Sequence, residues 1–186
     1  MSKQALMVLA EGFEDIEAVA PIDVLTRAGV EVTVVGLTDR PTKGAYGTTL
    51  MTDAGVAWEG RLFDAIVFPG GRRNAAALAV DRRVVESARR HFGERKLVAA
   101  ICAAPSHVLA EAAGLLKGKR ATGDPAFNDR LAAAGAIVTG QPVTRDNNII
   151  TGMGPGAAIP FSLALAEYLV SNEVADSFAV KWGIPR

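Results

Sequence analysis

The sequence is poor in cysteine and histidine: its 186 residues include one cysteine, Cys102, and two histidines, His91 and His107. A single cysteine cannot close an intramolecular disulfide, which excludes a disulfide-stapled scaffold and favours a reducing compartment, the cytoplasm. One cysteine and two widely spaced histidines do not form a metal-binding motif. We therefore expect no metal and no other cofactor.

An excess of charge of one sign and a long apolar run are also absent. Twenty Lys and Arg residues balance twenty Asp and Glu residues, so no overall charge attracts nucleic acid or an anionic membrane. The apolar run at residues 5–10 is too short for the core of a signal peptide, and no run approaches the length of a membrane helix. We expect a globular protein with neither a membrane nor a nucleic-acid partner.

A locally basic segment lies at residues 72–96, where eight Lys and Arg residues stand against three acids. Such a segment can bind the phosphates of a nucleic acid, but we interpret it as a solvated helix face that balances the acidic stretch near the N terminus. His91 lies within this segment, and we expect its side chain to be solvated as well.

Short apolar blocks alternate with amphipathic stretches along much of the chain. The apolar blocks are bounded by Gly, Pro or charged residues and predict buried strands, while the amphipathic stretches have the length of crossover helices. This alternation predicts an α/β fold with a mostly parallel sheet covered by helices on both faces. The predicted strands are residues 5–10, 31–37, 64–69 and 97–101, and the predicted helices are residues 15–28, 72–92 with a break near Val80, and 105–113.

The C-terminal third adds two features to this pattern. Residues 143–151 predict a small β-hairpin, because two consecutive asparagines in their middle suit the left-handed positions of a tight turn. A Gly-Met-Gly-Pro-Gly loop then leads into a predicted helix at residues 157–170. The sequence has no repeat and no linker, so we expect a single domain spanning residues 1–186.

Cys102 is the first candidate for chemistry, because it follows a predicted strand and Pro105 marks the first turn of the next helix. A strand-to-helix turn presents a side chain at the carboxyl edge of the sheet, where α/β proteins bind ligands. The positive end of the following helix would favour the thiolate and lower the pKa of the thiol. The alternative is a buried cysteine that only packs, and position alone does not choose between the two.

Two further features could complete a site around this cysteine. Residues 68–71, Phe-Pro-Gly-Gly, end another predicted strand and could present free backbone N–H groups to an oxyanion, although a plain tight turn has the same sequence. Glu17 lies in an acidic stretch at the start of a predicted helix. Held near the sulfur in a dry pocket, its carboxyl would have a raised pKa and could donate a hydrogen bond to it; otherwise the side chain faces solvent.

Four motifs together resemble a known family: AEGFEDIEAVAPIDVLTRAGVEVTVVGL near the start, FPGG, AAICAAPSHVLAEAAGLL, and GPG before the last predicted helix. They are similar to the ThiJ/PfpI superfamily, and most similar to its branch of parkinsonism-associated protein deglycase and YajL. The resemblance covers nearly the whole chain in order. It implies a flavodoxin-like, doubly wound sheet sandwiched by helices, and a homodimer.

The resemblance also implies roles for individual residues. Cys102 would be the reactive thiol, Glu17 the carboxylic acid that hydrogen-bonds it, and the amides of Gly71 and Ala103 the oxyanion pocket. Asp124 stands where many relatives have a histidine, which puts a triad-type mechanism in doubt because a carboxylate does not act as an imidazole near neutral pH. Proteases of the superfamily carry a histidine directly after the cysteine, so Ala103 speaks against peptide hydrolysis.

The function implied is a cofactor-independent cysteine enzyme that acts on reactive dicarbonyls and protects against carbonyl and oxidative stress. It would convert methylglyoxal to lactate in a glyoxalase III-type reaction, or remove early glycation adducts from side chains. The alternative is a redox-sensing or chaperone-like stress protein whose cysteine is oxidised to sulfinate with little turnover. Hydration of an isonitrile or a similar hydrolase-like reaction is a third, less favoured interpretation.

Overall fold

A computed structural model describes residues 2–53 and 57–185 of the chain. Its strands are β1 (Gln4–Leu9), β2 (Glu31–Gly36), β3 (Thr42–Lys43), β4 (Thr49–Leu50), β5 (Ala65–Phe68), β6 (Leu97–Ile101), β7 (Arg120–Ala121), β8 (Ile137–Val138), β9 (Val143–Asp146) and β10 (Ile149–Gly152). Its α-helices are α1 (Asp15–Arg27), α2 (Arg72–Val80), α3 (Arg82–Gly93), α4 (Asn128–Ala133), α5 (Ala158–Leu169) and α6 (Asn172–Trp182). A further helix, Pro105–Ala112, follows β6 and is called the elbow helix here.

The central sheet has six strands in the order β2-β1-β5-β6-β10-β9. Every neighbouring pair is parallel except β10 with β9, which form the antiparallel hairpin predicted for residues 143–151. Asn147 takes the left-handed conformation in its turn, with φ of 54°. The predicted flavodoxin-like, doubly wound sheet is confirmed. The chain reverses its direction of travel between β1 and β5, and the carboxyl edge at such a point is where α/β sheets bind ligands.

Two apolar cores lie on the two faces of the sheet. Along β1, Leu6 and Val8 belong to one core, while Met7 and Leu9 belong to the other. Side chains of successive strand residues point to opposite faces, so a strand covered on both sides must be apolar throughout. This is why the strands read as unbroken hydrophobic runs in the sequence. Helices α2 and α3 and the elbow helix cover the first face, and α1 and α5 cover the second.

The helix bounds follow local capping signals. The predicted break near Val80 is present because the Asp81 carboxylate accepts a hydrogen bond from the N–H of Arg83 at 2.9 Å and caps α3. Helix α6 was not predicted from the sequence, although a serine caps its start and left-handed Gly183 ends it. Helix α4 and the short pairs β3–β4 and β7–β8 were not predicted either; the two-residue strands of these pairs are too brief to show a period.

The elbow helix confirms the helix predicted at residues 105–113 but is wider than an α-helix. The N–H of Ala113 donates to the carbonyl of Val108 at 2.8 Å, a hydrogen bond across five residues rather than four. Such π-type turns are found frequently at functional sites. No helix within residues 2–53 and 57–185 is both long enough and apolar enough to cross a membrane.

His91 is buried rather than solvated, so that expectation is wrong. It lies on the inner face of α3 with no exposed surface. The N–H of Phe63 donates to Nε2 at 3.1 Å, which places the proton on Nδ1, and Nδ1 donates to the carbonyl of Ser87 at 2.8 Å. Burial lowers the pKa of His91. The basic segment therefore has an inner face that belongs to the fold.

Candidate functional site

Cys102 occupies a strained turn directly after β6. Its φ is 64°, a left-handed value that residues other than glycine seldom adopt. Two hydrogen bonds hold the turn: the N–H of Cys102 donates to the carbonyl of Gly152 at 3.0 Å, and its carbonyl accepts from the N–H of Asp124 at 2.8 Å. The half-buried thiol is thereby fixed at the carboxyl edge of the sheet by both neighbouring segments.

Glu17 lies in the first turn of α1 with none of its surface exposed. The N–H of Gly70 donates to Oε2 at 2.8 Å, whereas Oε1 is buried without a hydrogen-bond partner. The carboxyl is within hydrogen-bonding reach of the Cys102 thiol. The solvent-facing alternative for Glu17 is therefore wrong, and the structure brings the acid and the thiol together.

The two glycines after β5 make this pairing sterically feasible. A Cβ atom on Gly70 would collide with Oε2 of Glu17 and with Cβ of Cys102. Gly71 has φ of 87°, and a Cβ there would collide with the carbonyl of Gly12. The backbone N–H of Gly71 favours the negative charge of the sulfur. The structure thus gives Gly70 a role in orienting the carboxyl that the sequence did not predict.

Burial and neighbouring carboxylates set the pKa values of the pair. Burial, followed by the charge of Glu14, raises the pKa of Glu17 to about 7. Burial, followed by the charge of Glu17, raises the pKa of Cys102 to about 12, and Asp124 acts in the same direction. The predicted lowering of the thiol pKa is wrong, because these effects outweigh the helix end and the Gly71 N–H. Above about pH 7 the two groups therefore share one remaining proton.

Asp124 and Ala103 also lie beside the cysteine. The Asp124 carboxylate accepts a hydrogen bond from the N–H of Ala126 at 3.0 Å and caps the short turn Pro125–Phe127. Ala103 is completely buried, and its carbonyl accepts from the N–H of His107 at 3.2 Å. Both residues are thus held by backbone hydrogen bonds at the site. Asp124 places a carboxylate at the position where the resemblance leads one to expect an imidazole.

The thiol opens onto two cavities. One of about 440 Å³ is mostly apolar, and the other of about 810 Å³ is mixed in charge. The apolar cavity is lined by Cys102, Asp124, Pro125, Pro142, Met153, Gly154, Pro155, Gly156 and Ala157. The mixed cavity is lined by Cys102 and Asp124 again, with Glu11, Gly12, Glu14, Lys43, Gly44, Ala45, Tyr46, Gly71, Arg72, Arg73 and Pro155. A small molecule in either cavity would reach the sulfur.

The chain matches a known protein family over most of its length. The model of the DJ-1/PfpI family matches residues 3–168. The chain belongs to the DJ-1/PfpI family. The resemblance drawn from the sequence motifs is confirmed.

Relatives of the DJ-1/PfpI family match almost the whole chain. Protein dj-1beta of Drosophila melanogaster is 37% identical over 96% of this chain and 96% of its own length. The crystal structure of Drosophila DJ-1beta superposes with a TM-score of 0.93 at 35% identity and covers all of both chains. A protein named as a deglycase, from Pyrococcus abyssi, is 33% identical over 82% of this chain and 91% of its own length.

Within this DJ-1/PfpI fold, His107 stays outside the thiol–carboxyl pair. Its Nδ1 lies 2.9 Å from the Ala103 carbonyl, and its Nε2 lies 2.8 Å from Nη1 of Arg130. Phe127 packs edge-on against the ring at 4.8 Å between centroids. These contacts give His107 a packing role in the elbow helix. Among residues 2–53 and 57–185, no cluster of three or more His, Cys, Asp or Glu is placed to hold a metal ion.

Proposed function

We propose that this member of the DJ-1/PfpI family is a cofactor-independent cysteine enzyme for reactive dicarbonyl compounds. One observation carries the proposal: a fully buried carboxyl, Glu17, lies against the Cys102 thiol and has its pKa raised to about 7. A general acid–base works best when its pKa is close to the working pH. The kinship with a protein named as a deglycase supports the same class of chemistry.

The first step is addition of the thiol to the aldehyde carbon of methylglyoxal. The sulfur of Cys102 forms a C–S bond, and the carbonyl π electrons move to the oxygen. Glu17 in its ionised form takes the thiol proton and delivers it to that oxygen, giving a hemithioacetal. The N–H groups of Gly71 and Ala103 stabilise the negative charge that develops on the oxygen.

The second step moves a proton between adjacent carbons. The carboxylate of Glu17 removes the hydrogen of the hemithioacetal carbon as a proton, and the electron pair forms an enediolate whose negative charge lies on the former ketone oxygen. The hydroxyl proton of the first carbon passes to that oxygen, and Glu17 returns its proton to the neighbouring carbon, which gives the thioester of lactate on Cys102. Hydrolysis by water then breaks the C–S bond, releases lactate and restores the thiol, so that no oxidant or reductant is consumed.

An early glycation adduct joins the same reaction sequence at the hemithioacetal. The thiol of Cys102 displaces the amine from the carbinolamine carbon: the C–N bond breaks as the C–S bond forms, and the thiol proton passes to the amine. The resulting hemithioacetal is the one described above. Deglycation and conversion of free methylglyoxal therefore share every subsequent step.

The test is the formation of lactate from methylglyoxal by purified protein. The wild type, C102S and E17Q are compared with S177A, a control at an exposed position on α6. We expect C102S to lose turnover, E17Q to lose at least about 100-fold as expected for a proton-transfer group, and S177A to match the wild type. Turnover by C102S equal to that of the wild type would refute the proposal.

A second function, redox sensing, is favoured by the unpaired Oε1 atom of Glu17. If peroxide oxidises Cys102 to a sulfinate, a protonated Glu17 carboxyl and the Gly71 N–H could both donate hydrogen bonds to its oxygens. Intact mass after mild peroxide treatment tests this: a gain of two oxygens at Cys102, without methylglyoxal turnover, would favour the sensor over the enzyme.

We also propose that the chain forms a homodimer through α1. Ile16 and Val19, three residues apart on this helix, have 54% and 42% of their surface exposed, and adjacent apolar side chains on a helix face are suited to a protein contact. Light scattering should give twice the mass of the chain, and V19K should shift the mass toward that of the monomer. A monomeric wild type at micromolar concentration would contradict this.

A further inference from the structure

Three cations line the mixed cavity on which the Cys102 thiol opens: Lys43, Arg72 and Arg73. Within the described residues, 2–53 and 57–185, none of the three forms an ion pair. The two arginines are the first residues of α2 and directly follow Gly71, whose backbone N–H favours the negative charge of the sulfur. Unpaired arginines therefore line the cavity onto which the nucleophile opens.

The carboxylates of the same cavity are already engaged by backbone donors. Glu14 accepts from the N–H of Glu17 at 2.9 Å, Glu11 from the N–H of Lys43 at 3.2 Å, and Asp124 from the N–H of Ala126 at 3.0 Å. Each of these anions is partly compensated within the protein. Lys43, Arg72 and Arg73 form no ion pair within the described residues, so their side chains remain available to an anion that enters the cavity.

The backbone at the start of α2 adds to the positive charge of the two arginines. No side chain caps the helix, because the residue before it is Gly71. The first N–H groups of an uncapped helix carry partial positive charge and favour an anion close to them. The two arginine side chains and the helix end thus act on the same region of the cavity.

Arg72 is also held in a defined orientation. Its guanidinium lies 5.4 Å from the ring centroid of Phe127, which is flanked in turn by Arg130 at 5.6 Å and by His107. The stem of Arg73 packs closely against the turn at Gly12, where an added Cβ would lie 3.0 Å from the Cβ of Arg73. Pre-orientation lowers the entropic cost of binding a partner, and a guanidinium fits a carboxylate or a phosphate with two hydrogen bonds.

We propose that Arg72 and Arg73 select substrates for Cys102 that carry an anionic group, a carboxylate or a phosphate, beside the reactive carbonyl. This inference rests on the proposed function, because it names the substrate class of the same site. Methylglyoxal, which has no charge, would then be the smallest acceptable substrate and not the preferred one.

The test compares two alkylating reagents of nearly equal size, anionic iodoacetate and neutral iodoacetamide. Both react at Cys102, so the ratio of their rates cancels any change in thiol ionisation and reports the electrostatic field at the sulfur. We expect R72Q/R73Q to lower the iodoacetate-to-iodoacetamide ratio by about 10-fold. The wild-type ratio should also fall in about 1 M NaCl, where the Debye length is about 3 Å.

Two variants control this measurement. R82Q removes an arginine that is exposed at the start of α3 and pairs with Glu86, and it should keep the wild-type ratio. R72K/R73K preserves both charges and should retain most of the ratio. An unchanged ratio in R72Q/R73Q overturns the proposal, as does the same loss in R82Q or in R72K/R73K.

Competing anions distinguish a carboxylate from a phosphate as the anionic group of the substrate. Acetate and inorganic phosphate are added in turn at equal ionic strength, and slowing of iodoacetate by phosphate alone identifies a phosphate-bearing substrate. Slowing by acetate identifies a carboxylate, and slowing by neither contradicts the proposal. Because alkylation needs no turnover, a protein with a normal ratio that produces no lactate would refute the proposed function and leave this inference standing.

Discussion

The carboxyl of Glu17 and the thiol of Cys102 meet over the α-carbon of Gly70, at a point where neither could approach if residue 70 had a side chain. Glu17 comes from the first turn of α1 and Cys102 from the turn after β6. Their contact therefore depends on the parallel order of β1, β5 and β6, which delivers three separate segments to one edge of the sheet.

The reactivity of Cys102 should rise with pH around the pKa of Glu17. Below pH 7 Glu17 is protonated and alkylation is slow; above it the Glu17 carboxylate can take the proton of the thiol, whose own pKa is about 12, as the sulfur reacts. In E17Q no carboxylate takes that proton, so alkylation requires ionisation of the thiol itself, and burial keeps the thiol pKa above its ordinary value of 9.0. We expect the midpoint of iodoacetamide alkylation to move upward by more than about one pH unit.

The matched control for that profile is E86Q, because Glu86 is an exposed residue of α3 far from the thiol in the fold. Its midpoint should coincide with that of the wild type. If E17Q instead reacts at the wild-type midpoint, the thiol and the carboxyl do not titrate as a pair.

Removing the charge of Asp124 should shift the same profile the other way. Its carboxylate raises the pKa values of both Glu17 and Cys102. D124N keeps an oxygen that can accept the Ala126 N–H, so the turn remains capped while the charge is lost. We expect the midpoint of alkylation to fall below that of the wild type, and a midpoint that rises would contradict the assigned sign.

A methyl group on Gly70 should destabilise the protein and disable the site. In G70A the new Cβ overlaps Glu17 Oε2 and Cys102 Cβ, both of which are held by hydrogen bonds or by strand geometry. Overpacking of this kind costs about 1–3 kcal/mol in the free energy of unfolding. Urea denaturation should show this loss, and methylglyoxal conversion should drop with it.

G93A serves as the comparison for that substitution. Gly93 ends α3, and a Cβ there meets nothing within 4 Å. Its unfolding free energy should match that of the wild type or exceed it slightly, since alanine favours a helix over glycine. Equal stability of G70A and G93A would mean that the close approach at Gly70 is relaxed in solution.

The contribution of His91 to stability should fall at acid pH. Burial lowers the pKa of this histidine in the folded protein below its ordinary value of 6.5. The unfolded chain therefore binds a proton first, and the stability that neutral His91 contributes is complete above pH 6.5 and is lost as the pH falls toward the folded pKa. Glu17, whose pKa is raised to about 7 in the folded protein, acts in the opposite direction over the same range, so the contribution of His91 is measured as the difference between the wild type and a variant without this histidine.

The variant H91Q removes this titrating group, and it should cost about 1–3 kcal/mol at neutral pH because the Phe63 N–H loses its acceptor. The difference in the free energy of unfolding between the wild type and H91Q should shrink as the pH falls from 7.5 to about 5. S177A, at an exposed position of α6 that carries no titrating group, should keep the wild-type slope. A difference between the wild type and H91Q that stays constant with pH would contradict the role assigned to His91.

The regular elements of the fold could be predicted from short-range patterns. Strands β1 and β6 appear in the sequence as apolar runs because they are covered on both faces. Asp81 ends α2 and caps α3 by a local hydrogen bond. The two-residue strands could not be predicted in this way. They pair only because the chain around them is already folded, and two residues are too few to show a period.

Cys102 and the Gly70–Gly71 pair could be placed at strand ends from the sequence, because a strand, a turn and a helix are local features. The environment of these residues could not be predicted from the sequence. The direction of the thiol pKa depends on burial and on carboxylates 85 residues earlier and 22 residues later in the chain, and distances of that kind exist only after the sheet has brought the segments together.

His91 shows the same difference between what the local sequence determines and what the tertiary structure determines. Its position in a basic helix follows from its neighbours along the chain, yet its burial follows from which face of α3 meets the sheet. Residue order is enough to predict a mostly parallel sheet, covered on both faces, with a cysteine at its carboxyl edge, since hydrophobic periodicity and turn residues act over a few positions. Which groups share a proton, and which cations stay unpaired beside them, was settled by long-range packing, because electrostatic energies depend on distance and burial rather than on sequence separation.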